Sequence, residues 1–288
     1  MRAYAANTHQ GLVWNYNEDW VSIILNIVKP KNRTNEDWPK CSFFGIYDGH
    51  GGSKCAEFLW DYLHQFVIWD ENFPKDPKQA LWNGFATAEK KFLEFCYLGE
   101  GKDLWDKSGS CALVVLIVGN QCYIANVGDS RAILSSNKGT EIYTLSWDHK
   151  PTDEFEKQRV ILNGGQIYHW TAITPSDTEN PDIVVGPLWV LPGRLSVCRT
   201  FGDYEAKLTD RGGNPKVVIA VPEVKSFEIK DEHDFVLIGC DGIFDRMNNV
   251  DTINAVWKSA QENNFDTIHS YASVGIDTVM KNSLYWKT

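Results

Sequence analysis

The sequence predicts a layered α+β fold in which antiparallel β-sheet is flanked by helices. Four strand-like runs follow one another between residues 111 and 145, and short turns containing Gly, Asn or Asp separate them. Connections this short join antiparallel neighbours, because parallel strands need a long crossover. Helical periodicity is found in other parts of the chain, chiefly 53–96 and 250–281. Segregated strands and helices of this kind are typical of α+β proteins.

Each element is predicted from its local pattern. Runs rich in β-branched or aromatic residues predict strands at 21–28, 41–47, 111–118, 121–127, 131–134, 141–145 and 235–240. Helices are expected at 53–66, 77–96, 153–162, 250–262 and 265–281, the second of them beginning at a proline. Its apolar stripe of Leu81, Phe85, Ala88, Phe92 and Phe95 predicts core packing. The proline-containing stretch that ends at Pro192 is expected to be less regular.

Composition bounds the class of protein. The 288 residues are 43% hydrophobic and 23% charged, a balance typical of soluble globular proteins. With 28 basic and 38 acidic residues the net charge is −10, which argues against nucleic-acid binding. The longest apolar run, 111–118, is far shorter than the roughly 20 residues of a membrane-spanning helix. Without a linker or repeat, residues 1–288 are expected to form one domain, and we expect a monomer.

The seven cysteines are scattered and include no Cys-x-x-Cys pair, which indicates a reduced, intracellular protein. We therefore expect a cytoplasmic location, with the nucleus as the alternative.

Two apolar runs end in the same dipeptide, Asp48-Gly49 and Asp241-Gly242. A carboxylate that follows a buried strand needs a cation or several donors, because an unpaired buried charge is costly. A neighbouring glycine has no Cβ, so its carbonyl oxygen can approach a metal ion. Glu18, Asp19 and Asp129 offer further carboxylates at strand ends. Such oxygen donors suit Mg²⁺ or Mn²⁺ better than zinc.

The alternative is that each acid caps a turn or pairs with Arg131, Arg194 or Arg199, which is the better explanation for any one of them alone. His50 directly follows the first Asp-Gly and could protonate a leaving alkoxide. An iron oxygenase is a weak candidate, because it needs two histidines with one carboxylate and only His50 accompanies the acids.

Segment 43–51 reads Phe-Phe-Gly-Ile-Tyr-Asp-Gly-His-Gly and resembles the signature of the metal-dependent, type 2C serine/threonine protein phosphatases. Further blocks that resemble the family follow in order over almost the whole chain, at 17–19, 108–112, 126–131, 148–151, 198–203 and 240–245. The resemblance implies an antiparallel β-sandwich flanked on both sides by helix pairs, in four α-β-β-α layers. It also implies hydrolysis of phosphoserine and phosphothreonine on phosphorylated protein substrates.

The same resemblance implies the roles of individual residues. Asp48 would bridge two Mg²⁺ or Mn²⁺ ions, with the carbonyl of Gly49 and Glu18 on one ion and Asp241 on the other. Asp19 would bind directly or through water, and Asp129 would help to place a third, weaker ion. A water or hydroxide between the metals would attack phosphorus in line, with His50 as general acid. Residues 163–192 resemble the variable flap beside the family's cleft.

Two positions depart from the family pattern. Trp14 stands where the family usually has an arginine that grips the substrate phosphate, so no substrate-binding residue is assigned. Loss of such a bidentate contact would cost about 1.5–3 kcal/mol. The expected terminal Asp-Asn motif and its strand are absent before Thr288, which suggests a truncated chain. The alternative function is therefore a catalytically impaired pseudophosphatase that acts as a binding or regulatory module.

Overall fold

A computed structural model of the chain describes residues 2–11, 16–33, 36–97, 106–173, 183–263 and 267–285. The strands are β1 Trp20–Ile24, β2 Cys41–Tyr47, β3 Gly49–His50, β4 Gly109–Ser110, β5 Ala112–Val118, β6 Gln121–Val127, β7 Arg131–Ser136, β8 Glu141–Thr144, β9 Gln166–Ile173, β10 Ile183–Leu191, β11 Phe201–Gly202, β12 Glu223–Glu228 and β13 His233–Gly239. The helices are α1 Lys54–Ile68, α2 Pro77–Tyr97, α3 Glu154–Leu162, α4 Tyr204–Lys207, α5 Asp241–Phe244, α6 Asn249–Glu262 and α7 Ile268–Tyr285, with a 3₁₀ turn at Thr209–Arg211.

Two antiparallel sheets form the centre of the molecule. One has the strand order β1-β2-β5-β6-β12 and the other β13-β7-β8. Alternation along β5 sends Val114 and Leu116 into the core beneath α1 and α2, whereas Leu113 and Val115 face the second sheet. On that sheet Ile133 packs against α6 and α7 instead. The α+β prediction is confirmed. The layers follow one another in the order helices, sheet, sheet, helices, with an apolar core between each two layers.

The predicted elements are present, with differences at their ends. The first strand ends at Ile24, and four of the five stripe residues of α2 are buried, whereas Phe95 is 45% exposed. Strand β12, at the edge of the larger sheet, was not predicted, because three of its six residues are Glu or Lys, which are depleted in strands. Among the described residues, no helix combines the length and the apolar character that a membrane span requires.

The expectation of irregular structure before Pro192 is wrong for the described part of that stretch. Strands β9 and β10 form an antiparallel hairpin whose register shifts between Val185 and Leu188. Gly186 and Pro187 lie at this shift, and a proline cannot donate to the strand ladder. The bulge interrupts the alternating pattern that would have indicated a strand. Residues 174–182 of the predicted flap lie outside the described residues.

Candidate metal centre

The strand register brings the predicted acids to one end of the sandwich. Trp20 pairs with Tyr47, so the acid pair just before β1 lies beside Asp48, just after β2. Asp241 follows β13 of the facing sheet and is the first residue of α5. Ligand atoms of Asp48, Cys240 and Asp241 all lie within 4.8 Å of one another. Two strand ends from different sheets thus meet, as the repeated Asp-Gly dipeptide suggested.

Asp19 joins this group through the Cys240 thiol, which donates a hydrogen bond to its Oδ2 at 3.5 Å. Glu18 lies on the other side, where its Oε1 accepts the Gly52 backbone N–H at 2.6 Å. The Glu18 and Asp19 side chains thus have different hydrogen-bond partners, Gly52 and Cys240. Cys240 is a member of the group that the sequence analysis did not single out.

Gly49 cannot carry a side chain in this fold. A Cβ at this position would lie 2.5 Å from the Glu18 carbonyl oxygen and 3.1 Å from the Ala56 Cβ. Both neighbours belong to well-defined structure, since Ala56 is a buried residue of α1. The requirement for glycine beside Asp48 is therefore steric. Without a side chain at Gly49, the acid pair just before β1 can lie close to the β2–β3 junction.

The acids Asp19, Asp48 and Asp241 lie close together and are shielded from water, and both effects raise their pKa values. Burial, with added repulsion from Asp241, raises the pKa of Asp48 well above its usual range. Burial and repulsion from Asp129 raise the pKa of Asp241 from 3.8 to about 7. Burial also raises the pKa of Asp19, against the lowering effect of the Cys240 thiol. A bound cation would remove this cost.

Two of the three arginines of the alternative interpretation, Arg131 and Arg199, pair with other acids. Arg131 forms a bidentate pair with Asp148 at 2.9 and 2.7 Å. Arg199 pairs with Glu156, as does Arg159. The buried carboxylates of Asp48 and Asp241 are therefore not neutralised by Arg131 or Arg199.

Asp129 differs from the other acids because it has a cation beside it. Its residue lies in the turn where the chain passes from β6 of one sheet to β7 of the other, and it is 3% exposed. The Lys150 ammonium lies 3.4 Å from Asp129 Oδ2 and 2.6 Å from Asp245 Oδ1. Burial lowers the pKa of Lys150, but the two carboxylates more than compensate and the net shift is upward. Neither Lys150 nor Asp245 was assigned a role from sequence.

His50 points to an acid that sequence reasoning missed. Its Nε2 lies 2.7 Å from Asp203 Oδ2. Burial lowers the pKa of His50, but the Asp203 carboxylate outweighs that effect and the net shift is upward. Asp203 ends the block 198–203 that resembles the family, which was the available signal, although no role was attached to it. Trp14 lies outside the described residues.

Comparison with known proteins shows the family of the chain. Residues 22–281 match the family described as PP2C, protein phosphatase 2C. The chain belongs to the protein phosphatase 2C family. It is 32% identical over 229 residues to a probable protein phosphatase 2C 57 of Oryza sativa, with 80% of this chain and 55% of that protein covered. It is 37% identical over 204 residues to protein phosphatase 2C homolog 3 of Schizosaccharomyces pombe, covering 70% of this chain and 43% of the relative.

Two solved structures share the fold. A serine-threonine phosphatase 2C from Toxoplasma gondii superimposes with a TM-score of 0.64 at 17% identity, covering 92% of this chain and 88% of that one. A sex-determining protein from C. elegans gives a TM-score of 0.65 at 22% identity, covering 94% and 62%. The chain spans about half the length of the curated relatives it matches, with 55%, 57% and 50% of three of them covered.

Proposed function

We propose that this chain hydrolyses phosphoserine and phosphothreonine on proteins in a reaction that depends on Mg²⁺ or Mn²⁺. The observation that carries the proposal is the pair of partly buried carboxylates, Asp48 and Asp241, whose ligand atoms lie within 4.8 Å of each other, with His50 two residues after Asp48. Membership of the protein phosphatase 2C family supports the reaction class. Phosphorylated proteins are accordingly the proposed partners.

The donors fit hard divalent cations. Carboxylate oxygens dominate the site, and burial together with repulsion between the acids raises the pKa of Asp48 and Asp241, which supports a place for positive charge there. We assign Asp48, the Gly49 carbonyl and Glu18 to one ion and Asp48 with Asp241 to a second. Asp19 would bind directly or through water. Asp129 is the proposed ligand of a weaker third ion, for which the Lys150 ammonium competes.

Metal ions bound there supply positive charge for the phosphoryl oxygens and lower the pKa of the attacking water. The protein side chains and backbone have the remaining roles. The acids would place the positive charge of the metal ions at one end of the sandwich. Because Gly49 has no side chain, the residues just before β1 can lie against the β2–β3 junction. His50, whose side chain is 34% exposed, donates the proton that the leaving serine or threonine oxygen requires.

The test is hydrolysis of p-nitrophenyl phosphate and of a phosphoserine peptide by the purified chain with Mn²⁺, with Mg²⁺ and with EDTA. An Asp48→Asn variant reveals contaminating phosphatase, and Asp231→Asn, at an exposed turn, is the matched control for a lost carboxylate. We expect metal-dependent turnover that Asp48→Asn abolishes and the control retains. Turnover that survives in Asp48→Asn, or in EDTA, would contradict the proposal.

Trp14 keeps the pseudophosphatase as the second candidate. Calorimetric titration with Mn²⁺ separates the two, because the enzyme must bind metal to act, and the absence of heat at millimolar Mn²⁺ would exclude it in favour of a binding module. Where metal binds without turnover, a Trp14→Arg variant shows whether the missing phosphate contact is the cause. The domain bounds 1–288, the flap role of 163–192 and the cytoplasmic or nuclear location stay predictions.

A further inference from the structure

A small three-stranded sheet carries His50 toward Asp203. Its strand order is β11-β4-β3, and each strand has only two residues. His50 pairs with Gly109, and Gly109 pairs with Gly202 on its other side. The residue that follows Gly202 is Asp203. The register therefore places His50 on one outer strand and Asp203 directly after the other, with Gly109 on the strand between them.

Gly109 makes the contact between these side chains possible. A Cβ built on Gly109 would collide with Asp203 Oδ2 and with His50 Nε2. Because glycine leaves that space empty, the imidazole and the carboxylate meet above the middle strand at 2.7 Å. The middle position of this sheet is thus shaped for one particular side-chain pair rather than for general packing.

The backbone at Asp203 is fixed by its own conformation and by hydrogen bonds of Asp203 and the preceding residue. Its φ is 49°, in the left-handed region that few residues other than Gly, Asn and Asp adopt. Its N–H donates to the Ser108 carbonyl at 3.1 Å, and the Gly202 N–H donates to Glu89 Oε2 at 3.0 Å. Glu89 in turn pairs with the buried Lys207. A buried ion pair therefore anchors the backbone that presents this carboxylate.

Exposure separates the two roles. The side chain of His50 is 34% exposed, whereas that of Asp203 is 11% exposed. Asp203 is therefore the more enclosed member of the pair, and His50 is the member that solvent reaches more easily. Since Asp203 accepts the Nε2–H, the ring presents its other nitrogen, Nδ1, as the proton donor.

We infer, on the basis of the proposed function, that Asp203 is the positioning residue of the reaction and makes His50 deliver its proton from Nδ1. In this step the Nδ1–H bond breaks as the ester P–O bond breaks, and the proton goes to the serine or threonine oxygen that leaves. The imidazole ends neutral with its Nε2–H still on Asp203, and solvent restores the transferred proton.

The kinetic test compares two leaving groups. Asp203→Asn keeps the side-chain shape and tolerates the left-handed backbone, but it removes the charge. We expect kcat for a phosphoserine peptide to fall about 100-fold, within the range of general-acid contributions, with KM unchanged. For p-nitrophenyl phosphate, whose leaving group needs no proton, the expected loss is below about threefold. Glu205→Gln, a neighbouring acid paired with the exposed Lys107, is the matched control.

A double-mutant cycle tests whether Asp203 acts through His50. In a His50→Gln background, Asp203→Asn should cause no further loss, because the group that it orients is gone. Equal loss for both substrates, or additive losses in the cycle, would overturn the inference. Thermal unfolding of each variant shows whether a loss of activity reflects a loss of folded protein. If the wild type turns over neither substrate, the proposed function fails instead.

A spectroscopic readout keeps the inference testable in that case. In ¹⁵N-histidine-labelled protein, the neutral His50 ring should carry its proton on Nε2 in the wild type. We expect Asp203→Asn to populate the Nδ1–H tautomer as well, whereas Glu205→Gln should not. A wild-type ring protonated on Nδ1 would refute the positioning role whatever the activity.

Discussion

Asp241→Asn should stabilise the metal-free protein at high pH, although it removes a proposed metal ligand. Burial and repulsion from Asp129 raise the pKa of Asp241 from 3.8 to about 7. Below pH 3.8 this carboxyl is protonated in both the folded and the unfolded chain. As the pH rises from there to about 7, the unfolded chain releases a proton that the folded protein retains, so stability falls. Above about 7 the loss is complete.

The size of the effect comes from that shift. About three pKa units at about 1.4 kcal/mol each give about 4 kcal/mol of destabilisation at pH 8. For 288 residues, an unfolding entropy of about 2.1 cal/mol/K per residue converts this to about 7 °C in Tm. Asp241→Asn removes this cost and also the repulsion that Asp48 receives from Asp241.

The assay is thermal unfolding in EDTA at pH 8 and at pH 5, with Asp231→Asn as the exposed control. We expect Asp241→Asn to melt about 7 °C above the wild type at pH 8 and to show a smaller difference at pH 5. Millimolar Mn²⁺ should reverse the order, because the wild type keeps the Asp241 ligand of the second ion and therefore gains more from binding metal than the variant does. A variant that melts at or below the wild type at pH 8 in EDTA would refute the explanation in terms of crowded, uncompensated carboxylates.

Three further variants probe the supports of the site. Gly49→Ala places a Cβ 2.5 Å from the Glu18 carbonyl oxygen, so we expect calorimetry to show lost Mn²⁺ binding, and unchanged affinity would contradict the steric explanation. Lys207→Met leaves Glu89 buried without its cation and should cost about 3–5 kcal/mol in urea unfolding, much of it recovered by a second change of Glu89 to Gln. Burial lowers the pKa of His149 from 6.5 to about 3, so the unfolded chain takes up a proton first and stability falls as the pH drops below 6.5. His149→Asn should therefore lose less stability between pH 7 and pH 4, and an unchanged pH slope would argue against a buried neutral ring.

The sequence by itself determined the elements and most of the acids of the site. Enrichment in β-branched and aromatic residues is a local property, so runs such as Ala112–Val118 and Gln121–Val127 were predicted close to their observed bounds. The carboxylates of Asp48 and Asp241 were found because each follows an apolar run that must be buried. The conflict between burial and charge can therefore be detected from neighbouring residues in the sequence alone.

Only the tertiary structure decided which groups face one another. Asp203 lies 153 residues from His50, and their contact depends on a middle strand whose Gly109 has no side chain. The Lys150 ammonium reaches Asp129 and Asp245 from a third segment. Such contacts depend on strand register and on the meeting of separate sheets, which no local pattern encodes. A bulge likewise hid the β9–β10 hairpin, because its irregular residues break the period by which strands are recognised.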